Sequence, residues 1–417
     1  MRDLVLKGEN LSDRARKNLS ILDAIRRSGP ISKTEISSFI GVNVVTVSNY
    51  VEEFLRQKLI FEKELDISKG GRRPVLLDLN TDSGYAIGVG LNLLSNIAVL
   101  IDMKGKLILK IKRDRPQDNA ADIVESILKL IKDLLLQATD YKDKIKGIGV
   151  AIAGIVDNNR ETVRWPERID KDNDTYSLIT LPLKDIIEKE FNYPVRVDND
   201  ATMACFGEQW LSREVEVKNI LYMLSGVGCG IMINGEIYRG VSGCAGEISI
   251  YNPKEQQGQQ EQQEFYCTVG QPCLLKRWEV DIGILNLAKK EAPSNKSSKI
   301  WELCGGSVEN LNLKNIFEAV HLEDLLALDI VKKAARRLGM KIAFLVNLLN
   351  PQTVIIGGGL EEAGMPFIDE IRRTVSEWSF EEASSAVKII PSRLGENAVA
   401  LGAANFIVRE VFADTKE

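Results

Sequence analysis

The sequence predicts a mixed α/β protein in which an N-terminal winged helix-turn-helix precedes a two-lobed α/β body. Helical segments between residues 14 and 57 flank a glycine turn, and two short strands with a basic, glycine-rich connection follow them. Beyond residue 85, apolar strands alternate with amphipathic helices, and a second set of such elements follows the first. We therefore expect three units at residues 1–80, 81–200 and 201–417, with the C-terminal helix free to return to the first lobe.

Composition restricts the classes of function. The chain has 417 residues, a formal net charge of −5 and 44% apolar residues, which is ordinary for a globular protein. It has no run of eighteen apolar residues, and its first residues lack the apolar core of a signal peptide, so we expect a cytoplasmic protein without a membrane partner. Residues 1–80 hold fourteen Lys/Arg and eleven Asp/Glu, a mildly basic balance that suits a localised DNA contact.

The first two helices of the module are indicated by apolar spacing and by capping residues. Ala15, Leu19, Leu22 and Ile25 recur at helical spacing, and Gly29-Pro30 ends that helix. Ser32 is the predicted N-cap of the second helix, with Glu35 at the capping-box position. Gly41 makes the turn into a third helix.

The third helix is the predicted recognition helix. Asn43 caps it, and an apolar stripe of Val44, Val47, Val51 and Phe54 faces the core of the module. Hydroxyl and amide side chains on the outer face suit base edges and phosphates in a major groove. The predicted DNA contacts of the two helices are Lys33, Thr34, Asn43, Val45, Thr46, Ser48 and Asn49.

A basic wing is predicted between strands at Leu59–Glu62 and Val75–Leu79. Its tip, Lys69–Pro74, contains Arg72 and Arg73, which suit a narrow, electronegative minor groove. The alternative interpretation is a three-helix protein-interaction domain with a basic hairpin.

The body is predicted from buried strands that end in glycine or polar residues. The expected strands and helix are Tyr85–Gly90, Ile97–Asp102, Lys106–Arg113, the helix Ile123–Ala138, Ile145–Ile152, Val195–Asp200, Ile220–Leu224, Ile231–Asn234 and Val354–Ile356. Two such lobes would leave a cleft between them.

With these motifs in hand, the chain resembles the ROK family of repressors, open reading frames and sugar kinases, and in particular its repressors of the xylose-operon type. The resemblance spans roughly residues 14–410 and implies an actin-like or hexokinase-like (ribonuclease H-like) body. The segments that carry it are Ser68–Pro74, Asn199-Asp200-Ala201, Ser225–Gly230, Ala245–Ile248 and Asn347–Gly359.

The resemblance also argues against catalysis. The family's kinases open the first lobe with an Asp-x-Gly-Gly-Thr turn that holds ATP phosphates. This chain has Gly88–Leu93 there, without the Asp, the second Gly or the Thr, and with Leu91 where backbone should approach phosphate. We interpret the glycine turns at Ser225–Gly230 and Gly357–Gly359 as structural. The chain is therefore predicted not to be an enzyme.

Four residues are predicted to contact an effector sugar in the cleft. In the family's kinases the Asp at position 200 is the general base and the Asn at position 199 holds sugar hydroxyls. Glu247 matches another sugar contact, and Gly154 would face the same cleft. A carboxylate that accepts hydroxyl hydrogen bonds can fix an inducer without catalysing a reaction. The alternative is that Asp200 only caps the helix that begins at Ala201.

The family's structural zinc is predicted to be absent. Its His position is Ile250, and its three Cys positions are Tyr266, Thr268 and Cys273. One aligned cysteine cannot form a tetrahedral thiolate site, although Cys244, Cys267 and Cys273 together remain a weaker possibility. The final Glu of that motif is Leu275, so we expect Ile250, Tyr266 and Leu275 to pack together. The only histidine, His321, is expected at the surface.

The loss of the family's His and Glu at Ile250 and Leu275 changes the expected ligand, because sugar hydroxyls that face aliphatic side chains lack hydrogen-bond partners. A pentose, a modified sugar or a less polar effector fits better than a free hexose. The overall prediction is a homodimeric or homotetrameric repressor of carbohydrate-use genes that binds a palindromic, AT-rich operator. The alternatives are an ATP-dependent sugar kinase with a fused DNA-binding domain and a ligand-independent DNA-binding repressor.

Overall fold

The structure is a computed structural model. It describes residues 11–63, 75–91, 95–114, 119–157, 161–170, 175–212, 217–225, 228–248 and 279–415. Within these ranges, none of the helices has both the length and the apolar character that crossing a membrane requires.

The N-terminal module contains three helices and a small antiparallel sheet. Its elements are α1 (Asp13–Ser28), β1 (Ile31–Ser32), α2 (Lys33–Ile40), α3 (Val44–Arg56), β2 (Ile60–Lys63) and β3 (Leu76–Leu79). The sheet order is β1-β3-β2, with Ile31 opposite Leu77. The two-residue strand β1 was not predicted, because so short a segment carries no alternation of its own. Apart from β1, the order of these helices and strands is the one that the sequence predicted.

The predicted helix caps of this module are confirmed. The Ser32 hydroxyl accepts a hydrogen bond from the Glu35 amide (3.3 Å), and the Glu35 carboxylate accepts one from the Ser32 amide (2.8 Å). Gly41 ends α2 with φ 71°, and Asn43 accepts from the Val45 amide (2.8 Å). The predicted stripe is wrong at Val44, which is 37% exposed. Val44 is the first residue of α3 and lies beyond the core in which Val47, Val51 and Phe54 are buried.

The first lobe is built on a five-stranded sheet of order β11-β7-β4-β5-β6. β7 runs parallel to both β4 and β11, so the carboxyl ends of these three strands share one edge. The lobe's elements are β4 (Tyr85–Leu91), β5 (Ser95–Asp102), β6 (Leu107–Asp114), α4 (Ala120–Gln137), β7 (Ile145–Ile152), β8 (Ile155–Asp157), β9 (Thr162–Asp170), β10 (Thr175–Leu181), α5 (Leu183–Phe191) and β11 (Val195–Asn199).

The antiparallel sheet β8–β10 was missed by the sequence analysis. β8 has only three residues, β9 carries four charged residues, and Ser and Thr residues interrupt the apolar ones in β10, so none has the apolar run that marked the other strands. The predicted strand at 195–200 is one residue too long, because Asp200 already belongs to the next helix.

The second lobe has a sheet of order β14-β13-β12-β15-β16. Its elements are α6 (Asp200–Trp210), β12 (Ile220–Leu224), β13 (Gly228–Ile233), β14 (Glu236–Ile237), α7 (Glu279–Glu291), α8 (Lys299–Leu303), α9 (Leu313–His321), α10 (Leu325–Leu349), β15 (Thr353–Gly357), α11 (Met365–Trp378), α12 (Glu381–Ala386), β16 (Lys388–Pro391) and α13 (Ala398–Ala413). Helices α7–α11 and this sheet share one apolar core.

The last helix, α13, lies against the first-lobe sheet, and glycines allow the close approach. A Cβ added at Gly88 would lie 2.0 Å from the Ala400 carbonyl oxygen, and one at Gly149 would lie 2.1 Å from that of Ala403. On its other side α13 meets α6, where a Cβ at Gly402 would lie 1.8 Å from the Met203 oxygen. The N-terminal module, α6 and α13 contribute to one continuous apolar core.

Candidate functional site

Asn199 connects the carboxyl ends of β11 and β7 by hydrogen bonding, at the edge between the lobes. It is the last residue of β11 and the N-cap of α6, where its Oδ1 accepts a hydrogen bond from the Thr202 amide (3.1 Å). Its Nδ2 donates to the Gly154 carbonyl (3.2 Å), just beyond β7. Two of the predicted effector residues therefore lie in contact, and it is Asn199 that caps α6.

Asp200 and Glu247 form a pair of carboxylates close enough for the charge of one to act on the other. Asp200 is 3% exposed, and its Oδ1 accepts from the Ala201 amide (2.8 Å). Glu247 is half-buried. Burial, together with the negative charge of Asp200, raises the pKa of Glu247 to about 7. Loss of solvent and a like charge both oppose ionisation. A polyol that donates hydroxyl hydrogen bonds would replace part of the lost solvation.

The segment that carries Glu247 is pinned to β13 through a glycine. The Cys229 amide donates to the Gly246 carbonyl (3.0 Å), and Glu247 forms an antiparallel bridge with Gly228. Gly246 has φ 94°, and a Cβ there would lie 1.8 Å from the Cys229 oxygen. Only glycine fits this position, so the sequence Ala245-Gly246-Glu247 places the carboxylate relative to Asp200.

The sequence analysis missed an ion pair between the lobes. Arg239 donates from Nε (3.0 Å) and Nη2 (2.7 Å) to Oδ2 of Asp198, in β11. Both side chains are largely buried. The Arg239 carbonyl also accepts from the Ala245 amide (3.1 Å), so the pair supports the loop that carries Glu247. The sequence shows Asp198 as a polar residue near the end of β11, but nothing in it identified Arg239 as the partner.

The first-lobe glycines at the positions of the family's phosphate turn lie against a helix. A Cβ at Gly90 would lie 2.6 Å from the Ala400 nitrogen of α13. Leu91 is fully buried at the end of β4. In the second lobe, the Ser225 hydroxyl donates to the Gly358 carbonyl (2.8 Å), which joins the two glycine turns. Asn92, Leu93, Gly226 and Val227 lie outside the described residues.

The predicted DNA-contacting residues gather at the start of α2 and along the first turns of α3. Thr34, Asn43, Val45 and Asn49 are exposed, whereas Lys33, Thr46 and Ser48 are half-buried. Val45 is 68% exposed, which is unusual for valine and places a methyl surface among the polar groups. Arg72 and Arg73 lie outside the described residues, so the wing tip stays a prediction.

The part of the chain that the structure describes contains no group of three His, Cys, Asp or Glu residues that could hold a metal ion. His321 is exposed, as predicted, and its Nε2 lies 2.9 Å from the Glu362 carbonyl oxygen. Ile250, Tyr266, Cys267, Thr268, Cys273 and Leu275 fall outside the described residues, so the expected loss of the zinc site stays a prediction.

Comparison with known proteins places the chain in a family. Residues 86–410 match the ROK family. The xylose repressor of Bacillus spizizenii is 29% identical over 402 residues, which cover 94% of this chain and 95% of that protein. A solved ROK family transcriptional regulator, a homologue of the Escherichia coli MLC protein, superposes with a TM-score of 0.73 at 23% identity, covering 96% of this chain and 97% of the other.

A kinase of the same fold is also similar. The ROK family glucokinase from Streptomyces griseus, solved with glucose and AMPPNP, has a TM-score of 0.63 at 26% identity and covers 78% of this chain and 99% of its own. The resemblance that the sequence motifs predicted is confirmed, and this chain belongs to the ROK family.

Proposed function

We propose that the chain is a sequence-specific, DNA-binding repressor of carbohydrate-utilisation genes whose operator binding is modulated by a sugar in the cleft between the lobes. The observation that carries the proposal is that one chain joins two features. The exposed first turns of α3 present groups suited to base edges, and the cleft contains the carboxylates of Asp200 and Glu247. The similarity of nearly the whole chain to the xylose repressors of Bacillus spizizenii and Bacillus subtilis supports it.

The proposed division of labour follows the predicted boundaries. Residues 1–80 would bind DNA, with α3 in the major groove and Arg72 and Arg73 in the minor groove. Residues 81–200 and 201–417 would hold the sugar between them, with Gly154, Asn199, Asp200 and Glu247 as its contacts. Two copies, or four, would bind a palindromic operator, because a symmetric dimer presents two recognition helices related by a two-fold axis.

The proposed role excludes phosphoryl transfer. A kinase needs backbone amides and a hydroxyl around the ATP phosphates. In this chain Gly88 and Gly90 lie under α13, and Leu91 is buried beside them. The buried carboxylate of Asp200 would therefore accept a hydrogen bond from a sugar hydroxyl. It would not activate that hydroxyl for phosphoryl transfer. The similarity to a glucokinase supports the kinase alternative, so this alternative needs a direct test.

The test begins with the unmodified full chain. DNA duplexes selected on the protein from a randomised library are labelled, and their affinity is measured by fluorescence anisotropy with and without xylose, glucose and N-acetylglucosamine. We expect one sugar to raise the melting temperature without Mg-ATP and to change DNA affinity. Failure to enrich any duplex would refute DNA binding. ATP consumption that depends on one of these sugars would establish the kinase alternative, and DNA binding without any sugar response would favour the ligand-independent repressor.

A further inference from the structure

Helix α6 runs from the candidate effector site to the N-terminal module. It begins at Asp200, directly after Asn199, and ends at Trp210. Its eleven residues span about 16 Å at ~1.5 Å per residue, and every one of them is buried. One rigid element therefore has one end in the sugar site and the other end at the base of the DNA-binding module.

The far end of α6 is held by two arginines of α1. Arg26 donates from Nη2 to the Trp210 carbonyl (2.8 Å), and Arg27 donates from Nη1 to the Ser212 carbonyl (3.5 Å). The guanidinium of Arg26 also lies over the Trp210 ring, 4.3 Å from its centroid. The last carbonyls of a helix lack partners within it and carry a partial negative charge, so guanidinium groups stabilise this end.

Asp23 balances the charge of these arginines. Its Oδ1 accepts from Arg26 (2.9 and 2.7 Å), and its Oδ2 accepts from Arg27 (2.7 Å). The three side chains are each less than 10% exposed. Such a cluster holds one geometry, because any displacement leaves a buried charge without its partner.

Close backbone packing prevents α6 from absorbing a displacement along its length. A Cβ at Gly230 would lie 2.2 Å from the Ala201 oxygen, and one at Gly402 would lie 1.8 Å from the Met203 oxygen. At its end, α13 also meets α1, since Asn18 donates to the Thr415 carbonyl (3.2 Å). A movement that begins at Asp200 must then appear at Trp210, because packed interfaces shift between discrete arrangements rather than deform.

We infer that α6 transmits occupancy of the cleft to the DNA-binding module, and that Asp23, Arg26 and Arg27 are the positioning residues of this coupling. The inference rests on the proposed function. A ligand that binds Asp200 and Glu247 shifts α6, and the arginines convert that shift into a reorientation of α1 and of the recognition helix behind it.

A double-mutant cycle on DNA affinity tests this without knowledge of the sugar. The variants are Asp200→Asn, which keeps an acceptor for the Ala201 amide, Arg26→Gln, and the two combined, all in the full chain. Arg26→Gln leaves Asp23 paired with Arg27, so no buried charge is left unpaired. Arg372→Gln is the matched control, because Arg372 donates to the Ile389 carbonyl (3.0 and 2.7 Å) far from α1.

The expected result is non-additivity of at least about fourfold between Asp200→Asn and Arg26→Gln, and additivity between Asp200→Asn and Arg372→Gln. Distant, uncoupled sites combine to within about twofold, so additivity in both cycles would overturn the coupling. With the sugar identified, its effect on DNA affinity, about 5–150-fold in typical allosteric proteins, should fall towards one in Arg26→Gln while sugar binding persists. Absence of DNA binding by the unmodified chain would instead refute the proposed function.

Hydrogen exchange provides a readout that does not depend on the folding of Arg26→Gln. The unmodified chain is compared with Asp200→Asn for the amides at the end of α1, residues 23–28, with α11 as the internal reference. Altered protection at the end of α1 but not in α11 supports transmission through α6. Unchanged protection in both helices contradicts it.

Discussion

Burial of Glu247, together with the negative charge of Asp200 acting on it, raises the pKa of Glu247 to about 7. The two residues are 47 positions apart in the sequence and lie on α6 and on the segment pinned to β13. The candidate effector site therefore carries a carboxyl group that changes its ionisation near neutral pH.

The stability of the chain should fall as pH rises through this range. A Glu pKa raised from 4.5 to about 7 means that the folded state holds the proton more tightly than the unfolded state does. The stabilisation is complete below about pH 4.5 and is lost as pH rises through 7. Glu247→Gln should flatten the profile between pH 5 and 8 by on the order of 1–2 kcal/mol, after allowance for solvent screening. Thermal unfolding over this range measures it.

Glu361 provides the control for that experiment, because burial also raises its pKa to about 7. Glu361→Gln should remove a similar part of the slope while leaving sugar binding intact. A profile for Glu247→Gln that parallels the unmodified chain would contradict the assignment.

Sugar affinity should depend on the carboxylate of Asp200. Asp200→Asn replaces a charged acceptor by a neutral one, and charge-assisted hydrogen bonds contribute about 1.5–3 kcal/mol. We expect the dissociation constant for the sugar identified by thermal shift to rise about 10–100-fold in calorimetry. Asp82→Asn, which changes an exposed carboxylate far from the cleft, should leave it unchanged. Equal affinity in both variants would remove Asp200 from the site.

DNA recognition should depend on the outer face of α3. Asn49→Ala and Thr46→Ala each remove a group that we propose contacts a base edge, and loss of such a contact typically costs about 1–3 kcal/mol of discrimination. Anisotropy with the selected duplex and with single-base variants of it should show weaker binding and relaxed preference at one position. Ser38→Ala, which removes an exposed hydroxyl of α2, is the control and should match the unmodified chain.

The wing arginines should contribute a salt-dependent, electrostatic part of the DNA-binding free energy. Arg72→Ala with Arg73→Ala should weaken binding to the selected duplex and reduce the slope of log affinity against log salt by up to about 2. A salt titration of the double variant measures it. An unchanged slope and affinity would leave the wing without a role on DNA.

Stability should also depend on the crossing of α6 and α13. Gly402→Ala would bring a Cβ 1.8 Å from the Met203 oxygen, and overpacking of this kind costs about 1–3 kcal/mol or more. Gly283→Ala in α7 is the matched control, since its Cβ meets nothing within 4 Å, and alanine there should stabilise the helix by up to ~1 kcal/mol. Chemical denaturation of both variants tests the contrast, and an equally stable Gly402→Ala would contradict the packing.

The sequence by itself determined the local elements and the family. Ser32 with Glu35, Gly41 and Asn43 predicted the helix boundaries correctly, because capping and left-handed turns depend on residues that are neighbours in the chain. Most strands of the two main sheets were predicted from apolar runs. Strands β8–β10 were not, because β8 is short, β9 is charged and polar residues interrupt β10.

Only the tertiary structure decided what several of these residues do. Gly88 and Gly90 stand at positions of a family turn in sequence, and the structure shows that α13 packs on them. The pairs Asp198–Arg239 and Arg26–Trp210 join residues 41 and 184 positions apart. Local propensity and spacing contain no information about such contacts, because burial and long-range electrostatics arise only when distant segments pack together. The proposed coupling of the candidate effector site to the N-terminal module rests on such contacts.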